Sequence, residues 1–461
     1  MNRRQFIGTL GAAAAVTAAG CKNGSNPSKL LHSSPNAGEV PEGQKGLMAL
    51  RTGKHGEQVS LLGYGCMRWP TLPGPDLPDQ NNIDQAAVNE LVDYAIAHGV
   101  NYFDTSPVYH KGFSEVATGI ALSRYPRESY YLATKLSNFD PATQSLEASK
   151  AMYFKSLEYL KTDYIDFYLL HSIGGGGMEN LHKRYLDSGI LDFLLEERAT
   201  GRIRNLGFSY HGDIACFDYL LEHHDKYQWD FVQIQMNYVD MNHAKQVNPR
   251  NTNASYLYGE LEKRGIPVVI MEPLLGGRLA SLSEAENARL KAREPERSVA
   301  SWAFRYCGSF PGVLTVLSGM TYMEHLQDNL SSFAPFQPLR ENEIHFLEDI
   351  AHEYVTYPHV PCTGCQYCMP CPYGLDIPGT FRHYNRCLDE GKVNDNPESA
   401  DYQRTRRHYL RTYLQQVARE RQADHCVGCG RCMPHCPQHI DIPKEMLRID
   451  RFVDSLRNHV E

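Results

Sequence analysis

The chain has 461 residues, 42% of them hydrophobic and 22% charged, a balance that excludes a disordered or membrane-embedded protein. Its 46 basic and 54 acidic side chains leave a net charge of -8, which gives no basis for a nucleic-acid partner. Eight of the 13 cysteines fall in two dense runs near the C-terminus, a clustering that points to metal ligation rather than to a disulfide framework.

Residues 1–21 begin Met1-Asn2-Arg3-Arg4-Gln5-Phe6-Ile7, continue through a weakly apolar stretch of small residues and end Ala18-Ala19-Gly20-Cys21. A charged start, a short apolar run and a small-residue cleavage region form an export signal, which is set apart from the fold. The paired arginines resemble a twin-arginine signal. Its translocase carries folded proteins, so a metal cluster assembled in the cytoplasm travels with the chain. Ala-Ala-Gly-Cys also resembles a lipoprotein cleavage box, although Ala18 stands where Leu is more usual. Cleavage there makes Cys21 a lipid anchor; ordinary cleavage near Ala19 is the alternative. The expected location is periplasmic or membrane-anchored. Residues 22–57 begin with a stretch rich in Ser, Asn, Gly and Pro and read as a flexible tether. No later run of ~20 apolar residues predicts a second membrane crossing.

Within residues 58–335, short apolar runs at 61–66, 101–105, 130–136, 164–171, 203–209, 231–237, 266–272 and 312–318 alternate with amphipathic segments such as 85–98, 145–160 and 256–264. Gly99, Gly201 and Gly265 follow helical patterns as stops. Eight such units predict a (β/α)8 TIM barrel. A doubly wound open sheet is the alternative, but no Gly-x-Gly-x-x-Gly turn follows the first strand.

The reactive groups of such a barrel sit at the C-terminal ends of its strands. Those ends carry Asp104, Tyr109 shortly after it, Lys135 and His171. Singly, each has a structural explanation: a helix cap, a loop aromatic, a solvated end, a satisfied core histidine. Together at one rim they suit carbonyl chemistry. A phenol with a pKa of about 10 donates a proton poorly unless a cation biases it toward the ionised form. A lysine supplies that bias, an aspartate holds the lysine charged, and a histidine orients the carbonyl. Tyr109 then protonates the carbonyl oxygen as hydride reaches carbon, or accepts the proton in reverse.

Phe103-Asp104-Thr105-Ser106 with Tyr109, Ala133-Thr134-Lys135 and Leu169-Leu170-His171 resemble the tetrad of the aldo/keto reductases, and the similarity runs through most of residues 58–335. The resemblance implies hydride transfer between a nicotinamide, NAD(P)(H), and an aldehyde, ketone or sugar carbonyl. It also implies a cofactor path through Ser209, Gln235, Pro273, Leu274, Gly276, Gly319 and Asn329, with Glu324 nearby. Tyr210 stands where members often have Asn. Met320-Thr321-Tyr322 follows Gly319 where many carry a cation for the adenosine 2′-phosphate. Losing that charge-assisted contact makes a preference for NADP over NAD doubtful. Nicotinamide is also not normally replenished outside the cytoplasm. The run Gly174-Gly175-Gly176-Gly177 reads either as a mobile lid over the mouth or as a spacer.

Residues 336–461 read as a mainly helical, ferredoxin-like domain after a helical connector at about 338–355. Cys426, Cys429, Cys432, Cys436 and Pro437 form the C-x2-C-x2-C-x3-C-P pattern of cluster-binding ferredoxins. Cys362, Cys365, Cys368, Cys371 and Pro372 repeat it with the last spacing one residue shorter. The fourth cysteine of such a run commonly reaches the other cluster. The expected sets are therefore Cys362, Cys365, Cys368 and Cys436 for one [4Fe-4S] cluster, and Cys371, Cys426, Cys429 and Cys432 for the second. Zinc and disulfides are the competing readings. Cys66, Cys216, Cys307 and Cys387 remain as buried or incidental thiols. Arg404, Arg406, Arg407, Arg411, Arg419 and Arg421 form either a landing site for an acidic electron-transfer protein or a solvated helix face.

The leading expectation is an exported oxidoreductase acting on a small carbonyl or alcohol substrate and carrying two clusters for electron transfer. The alternatives are a non-catalytic redox-sensing protein that kept the barrel mouth, and an electron-transfer protein that uses the barrel as a docking platform.

Overall fold

The computed structural model describes residues 48–73, 81–248, 250–282, 284–355 and 359–458. The export signal, Cys21 and most of the tether lie outside the described residues.

Eight parallel strands close on themselves: β3 (Leu62–Gly65), β4 (Tyr102–Asp104), β5 (Tyr131–Leu136), β6 (Ile165–Ile173), β7 (Ile203–Tyr210), β8 (Phe231–Gln235), β9 (Val268–Met271) and β10 (Val313–Ser318). Closure is made by β10 against β3, with Val316 opposite Leu62. Helices connect them on the outside, and their starts follow from the local sequence. Asp84 accepts a hydrogen bond from the Ala87 N–H, and Ser145 from that of Ala148, satisfying N–H groups that the first turns of Gln85–Ala97 and Leu146–Leu160 leave unpaired. Tyr102, Ala133, Phe167, Leu169, Phe231 and Val269 fill the barrel interior, so the barrel is a packed core rather than a pore.

Two features extend this barrel beyond residues 58–335. The end of the stretch read as tether forms β1 (Leu50–Thr52), which pairs antiparallel with β2 (Gln58–Ser60) at the start of the predicted barrel; Val59 of β2 packs fully buried onto the interior layer. Three-residue strands with little alternation carry almost no periodic signal, which is why the hairpin escapes a reading by pattern. At the other end, helix Glu341–Val355 buries Ile344, Leu347, Ile350 and Ala351 in the same core as the barrel helices. The glycine run forms a hydrogen-bonded turn. The Gly174 carbonyl accepts from the Asp213 N–H, the Asn180 amide donates to the Gly175 carbonyl, and Gly177 starts helix Gly177–Leu181.

Residues 359–458 form a second core, in which helices Ile377–Asp389, Tyr402–Gln416 and Ile442–Asn458 bury Phe381, Tyr409, Met446, Ile449 and Val453 together. Helix Tyr402–Gln416 turns Tyr402, Tyr409 and Tyr413 inward, and Arg404, Arg407 and Arg411 are exposed.

Beneath the mouth, Glu115 of helix Ser114–Leu122 is buried and accepts a 2.5 Å hydrogen bond from Thr134 Oγ1. Burial pushes its carboxyl up from 4.5 to about 7. A raised folded-state value means that folding favours the protonated form. Stability is therefore fully present below the unfolded value and is lost as pH rises through about 7. At 1.36 kcal/mol per unit this is a loss of about 3 kcal/mol. The Glu115→Gln variant is expected to lose that slope: urea melts at pH 5 and pH 8 should show wild type falling relative to the variant. Parallel profiles would refute it.

Candidate active site

The strand register brings the rim residues together. Asp104 ends β4 opposite Ala133 of β5, and Lys135 lies two residues further along β5, opposite Leu169 of β6. His171 follows two residues after Leu169. Tyr109 opens a single 3-10 turn after β4, with its N–H donated to the Ser106 carbonyl; His110 and Lys111 behind it take positive φ values of 48° and 57°. All four thus surround one mouth.

Lys135 is 1% exposed, and its Nζ donates to Asp104 Oδ1 at 2.5 Å and to the Thr105 carbonyl at 2.8 Å. Gln233 Nε2 donates to the second Asp104 oxygen at 3.3 Å. The same ammonium stands 4.9 Å from the centre of the Tyr109 ring. The His171 ring meets that ring edge-on, with centroids 6.1 Å apart, and packs against Phe139 at 5.0 Å. His171 Nδ1 lies 2.6 Å from Ser137 Oγ, which pairs with Ser106 Oγ at 2.8 Å. Behind it Arg184 donates to the His171 carbonyl at 2.8 Å.

These surroundings set the protons. Burial, followed by the Asp104 and Glu272 carboxylates, holds the Tyr109 phenol well above its ordinary value. In the absence of substrate Tyr109 therefore keeps its proton, and the bias expected from Lys135 is outweighed. Burial, aided by Lys135, His211 and Arg184, holds His171 well below 6.5, so the imidazole is neutral. When Ser137 donates to Nδ1, Nε2 carries the hydrogen and is free to donate to a substrate oxygen. Burial pushes the Asp104 carboxyl up against the pull of Lys135. The arrangement offers one carbonyl oxygen two donors, Tyr109 and His171.

The residues expected along a nicotinamide path are engaged within the chain. Ser209 Oγ accepts from the Ser172 N–H at 2.9 Å, Gln235 Nε2 donates to Asp240 at 2.8 Å, and Asn329 Nδ2 donates to Ser318 Oγ at 2.9 Å. Pro273 and Leu274 lead from β9 into a turn where Gly276 has φ 71°. A side chain on Gly276 would begin 2.5 Å from Thr363 Cβ, and one on Gly319, just after β10, would begin 3.2 Å from Arg68 Cδ. Arg68 Nη2 in turn donates to the Thr363 carbonyl at 2.7 Å.

Cys362, Cys365, Cys368 and Cys436 line one cavity, together with Thr363, Ile377, Phe381, Ile440 and Ile442. Cys432 is pushed up to about 11 by burial and by the adjoining thiols of Cys371, Cys426 and Cys429, which gather on the other side. Cys66, Cys216, Cys307 and Cys387 are buried. The first cysteine loop reaches the mouth. Tyr367 Oη meets Met67 Sδ at 3.6 Å, and Cys365 neighbours Glu272 and Arg68.

Ser137, Gln233, Glu272, Arg68 and Tyr367 were not singled out from sequence. Ser137 was within reach, since alternation along β5 puts it on the face of Lys135. Tyr367 lies 196 residues beyond His171, the last of the four rim residues, and carries no local signal.

The aldo/keto reductase family matches residues 61–352, and a 4Fe-4S dicluster domain matches residues 361–442. The uncharacterized oxidoreductase YqkF of Bacillus subtilis is 28% identical over 322 residues, covering 63% of this chain and 92% of that one. L-galactose dehydrogenase of Arabidopsis thaliana is 25% identical over 305 residues, covering 62% and 88%. Among solved structures, the holo form of an aldo-keto reductase from Bacillus halodurans superposes with a TM-score of 0.51 at 23% identity, covering 66% of this chain and 96% of that one. An aldo-keto reductase from Klebsiella pneumoniae in complex with NADPH gives 0.50 at 22%, covering 66% and 95%. A family match spanning well over half of the chain, on a closed barrel of the same fold, makes this protein a member of the aldo/keto reductase family, an oxidoreductase with a 4Fe-4S dicluster domain behind its barrel.

Proposed function

We propose that the protein interconverts a small carbonyl compound (an aldehyde, ketone or sugar) and its alcohol, with Tyr109 exchanging the proton at oxygen. The observation that carries this reading is the buried Lys135–Asp104 pair lying against the Tyr109 ring and facing a neutral His171. His171 Nε2 and the Tyr109 hydroxyl orient the carbonyl oxygen, and the proton passes from Tyr109 as charge develops there. The test is conversion of a panel of aldehydes, ketones and sugars by anaerobically purified protein offered NADH, NADPH or reduced viologen as donor, and its loss in Tyr109→Phe.

The eight cysteines of the two sets are proposed to hold two [4Fe-4S] clusters. Four thiols around one apolar-walled cavity suit a cubane better than a single ion. The same cavity is walled by Ile377, Phe381, Ile440 and Ile442. When bound, such clusters exchange electrons one at a time. The Cys365→Ser variant is expected to retain about half of the wild-type iron, because one of two clusters is lost; unchanged iron in anaerobic preparations would remove Cys365 from the ligand set.

The family implies a nicotinamide, but the residues here do not fit one. The glycine cradle at Gly276 is filled by Thr363. The same observation favours the second reading, a redox-sensing or docking protein without turnover; the intact rim supports the enzyme. From the signal at Arg3-Arg4 we also propose export by the twin-arginine translocase, with Cys21 as a candidate lipid anchor.

A further inference from the structure

The two glycines on the expected nicotinamide path differ from an open cradle in the same way. At Gly276 the space beyond the backbone is taken by Thr363, whose Cα, Cβ and Cγ2 all lie within 2.8 Å of where a side chain would start. At Gly319 it is taken by the stem of Arg68, whose Cδ, Cβ and Cγ lie at 3.2 to 3.4 Å. The two blocking groups are tied by the 2.7 Å bond from Arg68 Nη2 to the Thr363 carbonyl, and Thr363 is 5% exposed. Two residues beyond Cys365, Tyr367 closes the same side against Met67. A second clamp from the C-terminal domain lies further round, where the Asn248 amide donates to the Gln438 carbonyl. A dinucleotide bound through its phosphates needs bare backbone at such glycines, and here that backbone is covered by the chain itself.

The geometry points to a barrel closed to dissociable nicotinamide by its own C-terminal domain. The loop Cys362–Cys368 roofs the mouth where the dinucleotide would lie, and the carbonyl site works with one-electron carriers instead. This deepens the carbonyl reading of Tyr109 and rests on it. Reduction then consumes two equivalents of a reduced one-electron carrier of ferredoxin or viologen class. The carbonyl carbon gains the electron pair and a proton from water, and the oxygen gains the Tyr109 proton, which water restores.

The test uses the full-length holoprotein prepared without oxygen. Fluorescence titration with NADPH and with NADH is expected to show no saturable binding up to about 1 mM, the upper end of ordinary KM values. The Thr363→Gly and Arg68→Ala variants, with their iron retained, should each gain binding by at least about tenfold, the fold-change of 1.4 kcal/mol. Saturable binding to wild type, or no gain in either variant, overturns the proposal. Alongside, alcohol formed from an aryl aldehyde is measured by chromatography with reduced methyl viologen as donor, and is expected where NADPH gives none. If Tyr109→Phe forms alcohol as fast as wild type, the carbonyl reading of the rim falls while the exclusion of nicotinamide stands; if NADPH drives turnover, the exclusion falls and the carbonyl reading stands.

Discussion

Replacing Tyr109 by Phe is expected to lower kcat/KM for the carbonyl–alcohol reaction by a factor of about 100 to 10,000, the range for removing a positioned proton donor. The loss should fall mainly on kcat, because the ring that packs edge-on to His171 and against the Lys135 ammonium is retained. Only the hydroxyl disappears. That hydroxyl is held protonated by burial and by the charges of Asp104 and Glu272, so it is loaded across neutral pH and must be drawn off by charge developing on the substrate oxygen. His171 remains as a neutral donor and accounts for residual orientation of the carbonyl. Iron content and thermal unfolding of the variant should match wild type. A reduction in rate of less than about threefold, with the variant folded, would place the proton donor elsewhere.

The barrel was legible because each strand is a short apolar run with an amphipathic segment behind it. β6 and β10, buried along nearly their whole lengths, illustrate this: Ile165–Ile173 and Val313–Ser318 expose almost nothing. Asp104, Lys135 and His171 were legible for a related reason. They are polar residues at the ends of apolar strands, and closure converts that one-dimensional position into a shared rim. Residues that act from other parts of the chain left no such trace. Thr363 and Tyr367 are ordinary loop residues between cysteines until the second domain docks. Arg68 is a cation after a strand until its guanidinium is seen capping the Thr363 carbonyl. The hairpin escaped for want of length; helix Glu341–Val355 was read as a connector, but an amphipathic pattern names the face that is buried without naming the core that buries it.

The largest effect on stability is expected at Lys135. The Lys135→Met variant keeps the aliphatic bulk but leaves Asp104, 3% exposed, without its cation. Breaking a buried pair from one side typically costs about 3 to 5 kcal/mol, since the remaining charge keeps its desolvation penalty and loses its compensation. The cost should depend on pH with a definite sign. Burial already raises the Asp104 carboxyl above its ordinary 3.8, and Lys135 and Gln233 are what oppose that rise. Without the lysine the folded state favours the protonated acid more strongly. The deficit is then small where the unfolded carboxyl is also protonated and grows as pH rises through the raised folded value. Urea melts should therefore separate wild type and variant more at pH 8 than at pH 5. Adding Asp104→Asn removes the stranded charge and is expected to recover most of the lost stability, although not turnover, because Tyr109 has lost the cation against its ring. A deficit below about 1 kcal/mol at pH 8, or one that the second substitution does not relieve, would mean that solvent reaches Asp104 and that the pair is no part of a dry site.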